Sequence, residues 1–104
     1  MIRINVKKKN NQIKTLTLCG HADYDLYGKD IVCAAVSATY LCTVNAILSL
    51  DSNSIKVNDK KGLQEIIVVT DNNITLSLLD NMIRCLESLK KQYPKNINLD
   101  KEEE

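Results

Sequence analysis

The chain has 104 residues, the length of one domain, and a formal net charge of +1. That balance argues against a dedicated nucleic-acid binder, which usually carries a strongly basic surplus. Hydrophobic residues make up 44% of the chain but Trp and Phe are absent, so the core must be built from Ile, Leu and Val with a few Tyr.

In chain order, Ile2, Ile4 and Val6 alternate with Arg3, Asn5 and Lys7, the period of a strand with one buried face. Lys7-Lys8-Lys9 followed by Asn10-Asn11 reads as a solvated hairpin tip rather than a phosphate-binding patch. Residues 13–19 form the hairpin partner, with Leu16 and Leu18 on one face and Thr15 and Thr17 on the other. Gly20 breaks the pattern, and residues 21–29 are a polar loop with two Asp, two Tyr and Gly28. Asp30 is a good N-cap for a central helix over residues 31–50, apolar almost all round and therefore expected to be covered on several sides.

Ile55 and Val57 mark a third strand, and residues 63–70 a fourth whose Ile66-Ile67-Val68-Val69 run predicts burial on both faces. A second helix carries Ile74, Leu78, Leu79, Met82, Ile83, Leu86 and Leu89 at helical spacing and stops at Pro94. Ile97 and Leu99 suggest a short edge strand before a frayed acidic end, Lys101-Glu102-Glu103-Glu104. The predicted fold is α+β: a ββαββα sandwich of one mainly antiparallel sheet against two helices, with a short C-terminal edge strand. The predicted domain covers residues 1–95, with the edge strand and tail at 96–104.

The N-terminus alternates where a signal sequence would be evenly apolar, and residues 31–50 are interrupted by Ser37, Thr39, Thr43, Asn45 and Ser49. A cytoplasmic location without membrane contact is therefore expected. The four cysteines, Cys19, Cys33, Cys42 and Cys85, contain no CxxC pair, so neither a zinc ribbon nor a thioredoxin-like motif is present. Cys42 and Cys85 fall in the helices and are expected to be buried.

The chemistry concentrates in residues 20–37. His21, the chain's single histidine, follows the strand end and Gly20, while Cys33 lies in the first turn of the next helix. A thiol becomes a strong nucleophile at neutral pH when a base or a thiolate-stabilising environment is at hand. Here the helix N-terminus and His21 are the two candidate sources. On these residues alone, Cys33 as a structural core cysteine and His21 as a surface residue remain open.

The Gly20-His21-Ala22 triplet, the short loop with Gly28, and the block Asp30-Ile31-Val32-Cys33-Ala34-Ala35-Val36-Ser37 together resemble the signature of the ribosomal-processing cysteine protease family, Prp. Chain length, element order and a long second helix ending near Tyr93-Pro94 fit as well. The resemblance implies an endopeptidase that removes a short N-terminal extension from the precursor of a large-subunit ribosomal protein. It assigns Cys33 as nucleophile and His21 as general base, with residues 22–29 as a cover that orders over the peptide. It implies a homodimer and no metal or cofactor.

Gly20, Ala22 and Gly28 belong to the motif. Asp30 either caps the helix or orients the site, or does both, and Ser37 lies one turn beyond Cys33 on the same face. Asp23 and Asp25 are candidates for substrate contact. The helix-start N–H groups are the expected oxyanion donors, or another amide if the cap occupies that of Cys33. Two rival readings remain: a zinc site on Cys19, His21 and Cys33, one ligand short of a usual structural set, and a non-catalytic ribosome-associated binding module with Cys33 in the core.

Overall fold

The computed structural model describes all residues, 1–104. The elements are β1 (Ile2–Lys9), β2 (Gln12–Cys19), α1 (Ile31–Leu50), β3 (Ile55–Lys60), β4 (Leu63–Val68), α2 (Asn73–Gln92) and β5 (Ile97–Glu103). The first hairpin turns at Asn10 and Asn11, both with positive φ (52° and 63°), the conformation that a two-residue hairpin loop of this hand demands. The α2 helix is capped by Asn72, whose Oδ1 accepts from Thr75 N–H at 2.8 Å. It closes with Lys90 and Lys91 in its last turn, where positive charge complements the exposed carbonyls.

The five strands form one mixed sheet in the order β3-β4-β2-β1-β5. All pairings are antiparallel except β1 with β5, which run parallel, Ile2 opposite Ile97 and Ile4 opposite Leu99. Ile2, Ile4, Val6, Leu16, Leu18, Ile55, Ile66, Ile97 and Leu99 face one core together with Val32, Val36, Tyr40, Val44 and Ile47 of α1 and Leu79, Met82, Ile83 and Leu86 of α2. Both helices therefore cover the same face of the sheet, and the opposite face presents Arg3, Lys7, Thr15, Thr17, Lys56 and Asn58. The α+β sandwich expected from the sequence is present.

Four local expectations are corrected. The end of the chain is not a frayed tail: β5 continues to Glu103, Glu103 Oε1 accepts from Asn11 N–H at 3.1 Å, and Lys101 pairs with Glu87 at 3.1 Å. Residues 97–103 thus belong to the same sheet as residues 1–95. The fourth strand stops at Val68 and buries only Ile66 fully, Val69 being 55% exposed, because helices cover one face of the sheet rather than two. The α1 helix buries a single stripe at three- and four-residue spacing and leaves Ile31, Leu41, Leu48 and Leu50 exposed. Cys42 and Cys85, expected inside, are exposed, since each lies off the buried stripe of its helix.

Candidate active site

The site is built where β2 ends and α1 begins. Gly20 has φ +87°, and a Cβ there would lie 2.5 Å from the Met1 carbonyl oxygen. Both the backbone angle and the close approach of β1 require glycine at this point. The chain leaves the sheet here and presents His21, which is exposed, followed by Ala22, which is 1% exposed and packed into the core.

Cys33 is half-buried in the first turn of α1 and packs against the core. Ala22 N–H donates to Cys33 Sγ at 3.2 Å, so the residue after the histidine supplies a donor aimed at the thiol. An N–H aimed at the sulfur fixes its position in the cleft and gives a donor to charge that develops there.

Asp30 links this helix start to the preceding loop. Its Oδ1 accepts from Val32 N–H (3.0 Å) and Cys33 N–H (2.9 Å), while Oδ2 accepts from Tyr24 N–H (2.9 Å) and Asp25 N–H (3.4 Å). The Cys33 N–H, followed by those of Tyr24, Asp25 and Val32, holds the carboxyl below its ordinary range, partly opposed by desolvation. Asp30 is thus a helix cap and a loop tether at once. The N–H groups of Val32 and Cys33 are taken by the Asp30 carboxylate, and that of Ala34 by the Asp30 carbonyl at 3.1 Å. The amide that faces the sulfur comes from the loop instead.

The first half of the loop is anchored. Asp23, at φ 56°, accepts from the Met1 ammonium at 3.1 Å, and the Tyr24 ring meets Tyr93 edge-on with centroids 5.3 Å apart. Ala22 carbonyl accepts from Asn96 Nδ2 at 2.9 Å. Beyond Asp25 the chain makes one turn, Lys29 N–H to Leu26 carbonyl at 2.9 Å, with Gly28 at φ +84° and the Tyr27 side chain fully in solvent. Residues 26–29 are thus held by this one turn, whereas residues 22–25 are also tied to Met1, Asp30, Tyr93 and Asn96.

A cavity of about 620 Å³ brings the predicted residues together: His21, Cys33, Asp30, Ser37, Gly20 and Gly28 line it, as do Asp23 and Asp25. Ala22 lies beneath it with its N–H on the sulfur. The opposite wall was missed by sequence reasoning. It consists of Lys60, Gly62, Leu63 and Gln64 from the β3–β4 hairpin, placed there because Leu63 pairs with Cys19 across the sheet. The Lys60-Lys61-Gly62 turn is readable in the sequence, but the pairing of β2 with β4 across an intervening helix is not. Cys19, His21 and Cys33 are not gathered into a metal-ligating group.

This arrangement, a partly buried thiol with an amide donor and a histidine in one cleft, can perform nucleophilic acyl transfer. The profile of the family described as cysteine protease Prp matches residues 1–98. The chain belongs to the Prp family of cysteine proteases. It is similar to the ribosomal processing cysteine protease Prp of Staphylococcus aureus, 35% identical over 103 residues that cover 95% of this chain and 97% of the relative. Its fold is similar to two crystal structures of the S. aureus Prp protease. The complex with a covalently linked product peptide superposes with TM-score 0.92 at 33% identity, covering 98% of this chain and 100% of the other. The complex with a substrate peptide gives 0.86 at 32% identity with the same coverage. As a Prp-family member the chain is a cysteine peptidase of α+β fold, with two helices on a five-stranded mixed sheet.

Proposed function

We propose that this protease removes the N-terminal extension of a large-subunit ribosomal protein precursor, with Cys33 as nucleophile and His21 as general base. The observation that carries the reading is the Ala22 N–H on Cys33 Sγ at 3.2 Å, in the cavity that His21 also lines. The relative's name, ribosomal processing protease, and the peptides bound to it support the substrate class.

In this mechanism the Cys33 proton passes to the His21 imidazole and the thiolate attacks the scissile carbonyl carbon. The peptide C–N bond breaks, the leaving amine takes the proton back from His21, and a thioester remains on Sγ. Water, deprotonated by His21, attacks that thioester and releases the carboxylate product and the thiol. Ser37, at the cavity one helical turn past Cys33, and the Asp23 and Asp25 carboxylates serve substrate contact. Gly28 permits the turn that lets residues 26–29 close over the peptide.

Two further features belong to the proposal. The free thiols at all four cysteines suit the reducing cytoplasm. The exposed apolar face of α1, with Leu41 50% accessible and Leu48 beside it, suits a homodimer in which a second copy covers it.

The deciding experiment incubates the purified chain with the precursor ribosomal protein from the same genome and sequences the product's N-terminus. Cys33→Ala abolishes cleavage without unfolding, and His21→Ala lowers the rate by about 100-fold or more. Cleavage by purified Cys33→Ala at the wild-type rate sinks the assignment.

A further inference from the structure

We infer that Asn96, in the turn between α2 and β5, is a positioning residue for the nucleophile. It acts through Ala22, and the inference rests on Cys33 being the reactive thiol.

Residues 21–23 belong to no helix or strand, so no backbone ladder fixes the amide that faces Cys33. Beside the buried Ala22 side chain, two hydrogen bonds orient its peptide. Ala22 N–H donates to Cys33 Sγ at 3.2 Å, and Ala22 carbonyl accepts from Asn96 Nδ2 at 2.9 Å, across 74 residues of chain. The first bond is the functional contact; the second holds the residue that makes it.

Asn96 is itself well anchored. Its N–H donates to Tyr93 carbonyl at 3.0 Å and its carbonyl accepts from Ile2 N–H at 2.9 Å, so the side chain projects from a point fixed to both α2 and β1. The same turn grips the loop a second time through the Tyr93–Tyr24 contact.

The chemistry selects an amide here. A carbonyl oxygen requires a donor, which the Asn Nδ2 end supplies without charge. Aspartate has the same shape but would set an oxygen against an oxygen. Without the Asn96 donor the Ala22 carbonyl turns to water and residues 21–22 lose their fixed orientation. The N–H then leaves the sulfur, and the neighbouring His21 loses its placement as well.

The test uses the full chain with Asn96→Ala and Asn96→Asp, the second preserving volume. Iodoacetamide alkylation is followed against pH, with peptide mapping to separate Cys33 from exposed Cys42 and Cys85. In both variants the Cys33 rate at neutral pH should fall by about ten-fold, the scale of a weakened hydrogen bond to a charged group. Its profile should move to higher pH, and kcat on the precursor should drop while KM stays within about twofold. A purely structural Asn96 would lower the melting temperature and leave the profile in place. Superimposable Cys33 profiles in wild type and in whichever variant folds overturn the inference, even if activity is reduced. If wild-type Cys33 reacts no faster than Cys42, the nucleophile assignment itself falls and takes the inference with it.

Discussion

Tyr40 of α1, fully buried, donates its hydroxyl to Asp59 Oδ1 of β3 at 2.8 Å. Asp59 directly precedes Lys60, the first residue of the cavity's hairpin wall. The bond therefore joins the helix that carries Cys33 to the hairpin that faces it. Burial, and secondarily the Asp59 carboxylate, raise the tyrosine above its ordinary range.

Tyr40→Phe keeps the buried ring and removes this tie. Since Asp59 is exposed and can turn to water, the stability loss should be about 1 kcal/mol, the net value of one hydrogen bond. Peptide affinity should weaken more clearly than stability, as the hairpin wall loosens. Denaturant unfolding and KM measure the two effects, and an unchanged KM would show that the wall needs no such tie. In wild type, the raised tyrosine means its contribution is present below about pH 10 and lost as pH rises further.

Gly20 and Gly28 separate two costs of a side chain. At Gly20 a methyl group meets both a positive φ and the Met1 carbonyl, so Gly20→Ala should destabilise by roughly 2 kcal/mol or more and displace His21. At Gly28 nothing lies within 4 Å, so Gly28→Ala should cost only about 1 kcal/mol, from the backbone angle alone. Thermal melts of the pair give the comparison; equal losses would mean that the approach to β1 is not tight.

Asp30 predicts an acid effect. Its folded carboxyl titrates below the ordinary value of 3.8, so its contribution is complete above that value and is lost as pH falls through the lowered folded one. The difference in melting temperature between wild type and Asp30→Asn should shrink on acidification from about pH 6 to about pH 2. At neutral pH Asp30→Asn still caps α1 through one oxygen but loses the second acceptor that holds Tyr24 and Asp25. Hydrogen exchange at residues 24–25 should therefore rise while the helix stays protected. A protected loop in Asp30→Asn would show that the tether is dispensable.

Leu41→Glu tests the proposed assembly. It adds charge to the exposed face of α1 without touching the core stripe. Light scattering should fall toward the 11.7 kDa of one chain, with the helical signal retained. A wild-type mass already at that value, at tens of micromolar, would exclude the dimer.

Much of this fold is legible locally. The alternation at Ile2, Ile4 and Val6, the Asn10-Asn11 turn and the Asp30 cap each follow from a few neighbouring residues, and the structure carries them all. The Gly20-His21-Ala22 and Cys33 segments are close in sequence, so their meeting in one cleft was readable too. What escaped depends on partners far along the chain. Composition makes α1 look covered all round, yet only contact with the sheet decides which stripe is buried. Lys101, Glu102 and Glu103 look like a solvated tail because their strand character comes from β1, not from their own propensity. Asn96 gives no signal at all in sequence; its meaning lies in the Ala22 carbonyl.

The parallel pairing of β1 with β5 also sets an order of events during synthesis. β1 completes its pairing only once β5, separated from it by five elements of the chain, has been made, and such distant pairings form late because long loops must close first. Asn96, which holds the Ala22 peptide, emerges immediately before β5. A nascent chain can therefore make its first hairpin and α1 while its thiol still lacks the organised surroundings it has in the finished molecule.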